Sequence, residues 1–101
     1  HYSDLAFADG RLFILNRNHR CIFEIAPETK RVLAEYSFAQ MELDKSVAYF
    51  SDYPTGAMEG LAIDGEYFWL MTDNNGKGHV ADKADIRPTL FRCKRPRGPQ
   101  D

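Results

Sequence analysis

The chain has 101 residues, 44% of them hydrophobic and 13% aromatic, and its 13 basic and 15 acidic residues leave a formal net charge of −2. This allows one small domain with enough apolar content for a core, and it argues against disorder of the whole chain. Mixed charge without a basic stripe argues against a nucleic-acid binder, and no apolar run is long enough to cross a bilayer as a helix, so no transmembrane segment is expected.

In chain order, residues 4–7 (DLAF), 11–15 (RLFIL), 21–25 (CIFEI) and 31–38 (RVLAEYSF) read as four short β-strands, rich in β-branched and aromatic side chains. Asp9-Gly10, Asn16-Arg17-Asn18 and Pro27-Glu28-Thr29 supply the turns between them. The first two runs are nearly continuous in apolar residues, which predicts strands covered on both faces. The fourth alternates, with Val32, Ala34, Tyr36 and Phe38 on one face and Arg31, Leu33, Glu35 and Ser37 on the other. A connector follows, in which Tyr49-Phe50 and Tyr53-Pro54-Thr55-Gly56 are placed to line a rim or cover a sheet edge.

The second half repeats the first. A shift of 56 residues lays Asp4-Leu5-Ala6-Phe7 on Gly60-Leu61-Ala62-Ile63 and Leu12-Phe13-Ile14-Leu15 on Phe68-Trp69-Leu70-Met71 without a gap. CIFEI then matches TLFRC, residues 89–93, once 12 further residues are allowed in the preceding loop. Two copies of an antiparallel meander are the pattern of β-propeller blades, which bury their faces against neighbouring blades. The expectation is an all-β chain made of two consecutive four-stranded blades, the second lacking its outer strand: residues 1–38, a connector 39–58, residues 59–96 with a long loop 75–88, and a tail 97–101. A chain that begins at His1 is expected to be a processed product or a piece of a longer propeller, with the remaining blades as its partners. Cys21 and Cys93 lie inside strand-like runs and are read as core thiols in preference to a disulfide. Arg92, Lys94, Arg95 and Arg97 near the C-terminus fit a last strand with a Pro-rich end as well as they fit a basic patch.

In a meander, alternate connections share an edge. His1, Tyr2, Asp4, Arg17, Asn18 and His19 therefore fall on one edge with Glu59, Asp73-Asn74-Asn75 and the long loop. Long loops on one edge and tight turns on the other point to the first as the functional face. Glu59, Asp73 and Asn74 offer hard oxygens, suited to Ca²⁺ or Mg²⁺, although Asp-Asn-Asn-Gly is also an ordinary turn and Glu59 an ordinary surface residue at a strand start. His79, beside Lys77, Asp82 and Asp85, reads first as a solvated loop histidine, with a general base or ligand as the alternative. Arg87 would meet a phosphate or carboxylate, or pair with Asp73 or Asp85 and pin the loop. Phe13, Phe68, Trp69, Met71 and Phe91 read as packing between sheets. No Ser or Cys nucleophile motif is present.

The stretch AMEGLAIDGEYFWLMTDNNG followed by DIRPTLFRCKRP resembles the phytase-like, esterase-like propeller family, over residues 57–96. More distantly, the chain is similar to calcium propellers of the gluconolactonase type. The resemblance implies a six-bladed propeller outside the cytoplasm, in a periplasm or at a cell surface. It also implies a metal-assisted hydrolase of phosphate or carboxylic esters, with Ca²⁺ held by Glu59 and Asp73 or Asn74. The alternative is a non-catalytic propeller that binds a ligand or a protein partner on the same face. Arg17, Arg87 and His79 complete the set as residues for a small ester or anionic ligand.

Overall fold

A computed structural model describes residues 2–49, 56–73 and 76–96. The architecture is all-β apart from one short helix. Strands β1 (Tyr2–Ala8), β2 (Arg11–Asn16), β3 (Cys21–Ala26) and β4 (Arg31–Ser37) form a four-stranded antiparallel meander. Helix α1 (Ala39–Glu42) leads away from it, and β5 (Met58–Asp64), β6 (Tyr67–Thr72) and β7 (Leu90–Lys94) form a three-stranded one. The bounds of β5 and β6 lie 56 residues beyond those of β1 and β2. Each first strand carries an irregularity at the same place, around Ser3 in β1 and Glu59 in β5.

Local chemistry explains the hairpins. Asp9 and Gly10 both take positive φ, 53° and 73°, as a two-residue turn of the I′ kind needs, and Asp is among the few side chains that tolerate it. Lys30, at φ 60°, closes the β3–β4 turn by donating its N–H to Ala26 O at 2.7 Å.

The core is the seam between the two sheets. Phe13, Leu15 and Ile22 from the first sheet are buried with Met58, Leu61, Phe68 and Leu70 from the second, and Phe38 caps the group. Phe13 meets Phe68 edge-on with ring centroids 5.7 Å apart, and Tyr36 lies at 5.7 Å on the same ring. The edge strands β1 and β5 run against each other, and Asp4 fastens them: one carboxylate oxygen accepts the N–H of Leu5 at 2.8 Å, the other that of Leu61 at 2.7 Å. An ion pair ties the sheets at each end as well, Arg17 with Glu59 at one and Asp9 with Arg95 at the other. The buried acid Glu24 is satisfied within its own sheet, accepting from Arg11 at 2.9 Å and from the Tyr36 hydroxyl at 2.6 Å.

Three sequence expectations need correction. Of the residues read as packing between sheets, Phe13, Phe68 and Phe91 join the seam, whereas Trp69 and Met71 lie on the outward face of the second sheet, Met71 45% exposed. Coverage on both faces fails for β1, where Leu5 and Phe7 are 57% and 66% exposed because only one face of the first sheet meets the second. Val32 does not share a face with Ala34 and Tyr36: Leu33 is the extra residue of a β-bulge, so Val32 pairs with Ile25 and turns outward. The helix α1 was not expected from the pattern of the connector, whose residues 50–55 lie outside the described residues, Tyr53-Pro54-Thr55 among them. Both cysteines are free thiols, as read from the sequence.

If the seam holds the fold, Phe68→Ala will destabilise the chain by about 3–5 kcal/mol in urea unfolding. Phe7→Ala, on the exposed face, will stay within about 0.5 kcal/mol when the chain is unfolded as a dilute monomer. Equal losses at both positions in the monomer would show that the outer face is buried within the chain itself.

Candidate functional site

The strand order sets two edges, and the residues singled out from the sequence fall on the one where β1 and β5 begin and β2 and β6 end. Two clusters form there. In the first, the β2–β3 turn brings Arg17 to Glu59, so the first sheet's turn reaches the bulged start of the second sheet's first strand. Arg20, from the same turn, donates through Nε to Glu42 of α1 at 2.5 Å. The Glu42 side chain is 6% exposed, and among the described residues its Oε1 has no hydrogen-bond partner; the same holds for Arg17 Nε and Ser3 Oγ. Gly56 closes the cluster. A Cβ there would come within 2.8 Å of Arg17 O and 2.9 Å of Glu42 Oε2, so the backbone approaches this charged pair only because the residue is glycine.

The second cluster holds the long loop. His79 is buried, not solvated: its Nδ1 lies 2.8 Å from Val47 O and its Nε2 3.2 Å from Arg87 O, while its ring stacks on Tyr49 at 4.2 Å. The Tyr49 hydroxyl donates to Arg87 O at 2.6 Å and lies 3.1 and 3.0 Å from the hydroxyls of Thr72 and Thr89. These contacts clamp the base of the loop to the connector. Arg87 is 84% exposed and holds Asp85 bidentately, Nε to Oδ1 at 2.8 Å and Nη2 to Oδ2 at 2.9 Å. Of the two roles read for Arg87, the structure shows the pinning pair. Its hydrogen bonds hold the Asp85 carboxyl far below the ordinary carboxylate range.

Arg17 and Glu59 are therefore brought together, whereas the hydrogen bonds of His79 and Arg87 run to Val47, Tyr49 and Asp85. Asp73 is exposed at the end of β6, its N–H donating to Ala57 O at 2.8 Å, which places it on the same edge as Glu59. Asn74 lies outside the described residues, as do His1 and Asn75. Among the described residues, no three His, Cys, Asp or Glu side chains gather to hold a metal ion. The sequence reading missed Arg20, Glu42 and Gly56. Glu42 had one signal, an acid on the first turn after a strand, but its partner comes from a turn 22 residues earlier.

The Asp85–Arg87 pairing has a pH signature. A folded-state value below the ordinary 3.8 means its contribution is complete above that pH and fades as pH falls through the lower folded value. Titration of the Asp85 side-chain carbon by NMR will give a midpoint below 3.8, and Arg87→Gln will return it towards 3.8. An ordinary midpoint in the unaltered chain would refute the pairing. Comparison with known protein families, with curated proteins and with solved structures returned no match.

Proposed function

We propose that the two sheets are consecutive blades of a β-propeller of the phytase-like, esterase-like kind, and that the edge holding Arg17 and Glu59 is its binding face for a small anionic molecule, a phosphate or a carboxylate. Support for the blade reading is the shared spacing of β1–β2 and β5–β6, the matching irregularities at Ser3 and Glu59, and the stacking of the sheets with their first strands in contact. The observation that carries the binding face is the Arg17 side chain. It is held across the seam by Glu59 with its buried Nε lacking an acceptor among the described residues, so an oxyanion would complete its donors.

Support for binding over turnover comes from the reactive groups within the chain. Burial, with the nearby Glu35 carboxylate, pushes the Cys21 thiol up to about 11, and burial raises Cys93 as well. Both are poor nucleophiles at neutral pH. The His79 ring is spent on loop carbonyls.

Metal-assisted ester hydrolysis is the second reading, favoured by the placement of Glu59 and Asp73 on one edge. A bound Ca²⁺ would polarise the ester and lower the pKa of the attacking water. Such an ion takes about six to eight oxygens. The described residues do not make that set, and the Arg17 guanidinium already neutralises Glu59. The missing ligands would have to come from other blades.

Glu59→Gln separates the two readings, because they predict different effects on phosphate binding. If Arg17 takes the ligand, removing the competing carboxylate will tighten binding of inorganic phosphate several-fold in titration calorimetry, and Arg17→Gln will weaken it at least about tenfold. If Glu59 is a metal ligand, Glu59→Gln will leave phosphate unchanged and weaken calcium binding where other blades supply the remaining ligands. Loss of phosphate binding through Arg87→Gln but not Arg17→Gln would move the site to the long loop. No saturable phosphate binding would overturn the anion face.

A further inference from the structure

We infer that this chain associates head to tail with a second copy of itself, the outer face of its first sheet docking on the outer face of another copy's second sheet. The inference stands on the two-sheet geometry and the 56-residue correspondence, and it is independent of the ligand reading.

Each sheet has one face in the seam and one facing away. On the first sheet, cross-strand pairing puts Leu5 with Ile14 and Phe7 with Leu12 on the outward face. Leu5 and Phe7 are exposed, and Leu12 and Ile14 are half-exposed. Their counterparts 56 residues on are Leu61, Ile63, Phe68 and Leu70, which are the side chains the second sheet buries against the first. The first sheet therefore carries, facing outward, the same apolar face that the second sheet uses to pack on a neighbour.

The other end is complementary. Ala62, Trp69 and Arg92 lie opposite one another on the outward face of the second sheet, and Met71 pairs with Leu90 beside them. Their counterparts Ala6, Phe13, Glu24, Leu15 and Ile22 lie on the face on which the second sheet packs, with the buried acid Glu24 standing where the second sheet has Arg92. Met71 and Leu90 are 45% and 54% exposed. The chain thus shows at its two ends the two unlike halves of an interface it already makes inside itself. Exposed apolar side chains gathered on one face mark an interaction surface, and unlike halves join heterologously, so that repetition of the contact gives a ring or a filament in place of a two-fold pair.

The test uses two double variants at exposed positions, Leu5→Lys with Phe7→Lys and Met71→Lys with Leu90→Lys, with far-UV circular dichroism and urea midpoints confirming that each remains folded. In sedimentation velocity at about 100 μM, well above the Kd of a micromolar contact, the unaltered chain will run as an assembly larger than its 11.6 kDa monomer. Each variant alone will run as a monomer, since each has lost one half of the contact. Mixed in equal amounts, the two will form a 1:1 complex through the pair of intact halves. A monomeric unaltered chain overturns the inference, an outcome that would leave the outer faces to other sheets of a longer polypeptide. Assembly by either variant alone, or no complex on mixing, overturns it equally, because like faces would then be pairing or the unlike faces would not.

Discussion

Everything in this molecule depends on two small sheets lying face to face. A lone hairpin is marginal in water, and a sheet of three or four strands draws its stability from an apolar face that something must cover. Phe68 and Leu70 leave water only because Phe13, Leu15 and Ile22 stand opposite them. The ties across the seam sit at three levels: Arg17 with Glu59 at one end, Asp4 with the Leu61 amide along the first strands, and Asp9 with Arg95 at the other end. The apolar contact supplies the energy, and the polar ties fix its alignment. An aliphatic surface alone would allow the sheets to slide, whereas a carboxylate that must reach one particular N–H does not.

This division explains why the two edges differ in character. At the tight-turn edge most contacts are local or satisfied: Glu24 has Arg11 and Tyr36, and Asp9 has Arg95, whose Nη1 is the one buried atom there without a partner among the described residues. At the edge where β1 and β5 begin, two arginines and two acids meet around Gly56, and three buried polar atoms have no partner among the described residues. Buried polar groups in folded proteins are seldom left so. The bulges at Ser3 and Glu59 contribute, because each re-aims the start of an edge strand and places its side chain at the corner between sheets.

Strand order, the meander and the spacing between the halves were legible in the sequence because each is written in local chemistry. Asp9-Gly10 demands a turn, and the run from Arg11 to Leu15 demands burial. The side chains at the corner were legible only as positions on an edge. That Glu59 would meet Arg17 depends on how the second sheet stacks on the first, which no local pattern encodes. His79 sits in a polar loop, and only the fold of residues 76–89 over Tyr49 buries it. Val32 was misplaced for a related reason: a strict period of two cannot register a single extra residue such as Leu33, which reverses the face of everything on one side of it.

The position of Trp69 has a consequence for spectroscopy. It is the chain's single tryptophan, and it lies outside the seam, on the outward face of the second sheet, with the guanidinium of Arg92 at 5.7 Å from its ring. Its emission therefore reports on what covers that face and on the nearby cation, while the packing of Phe68 against Phe13 is one layer away and nearly silent to it. In a two-state transition tryptophan fluorescence and backbone circular dichroism share one midpoint wherever the probe sits, so a fluorescence change that precedes the loss of ellipticity in this chain would report the outer face rearranging before the seam opens.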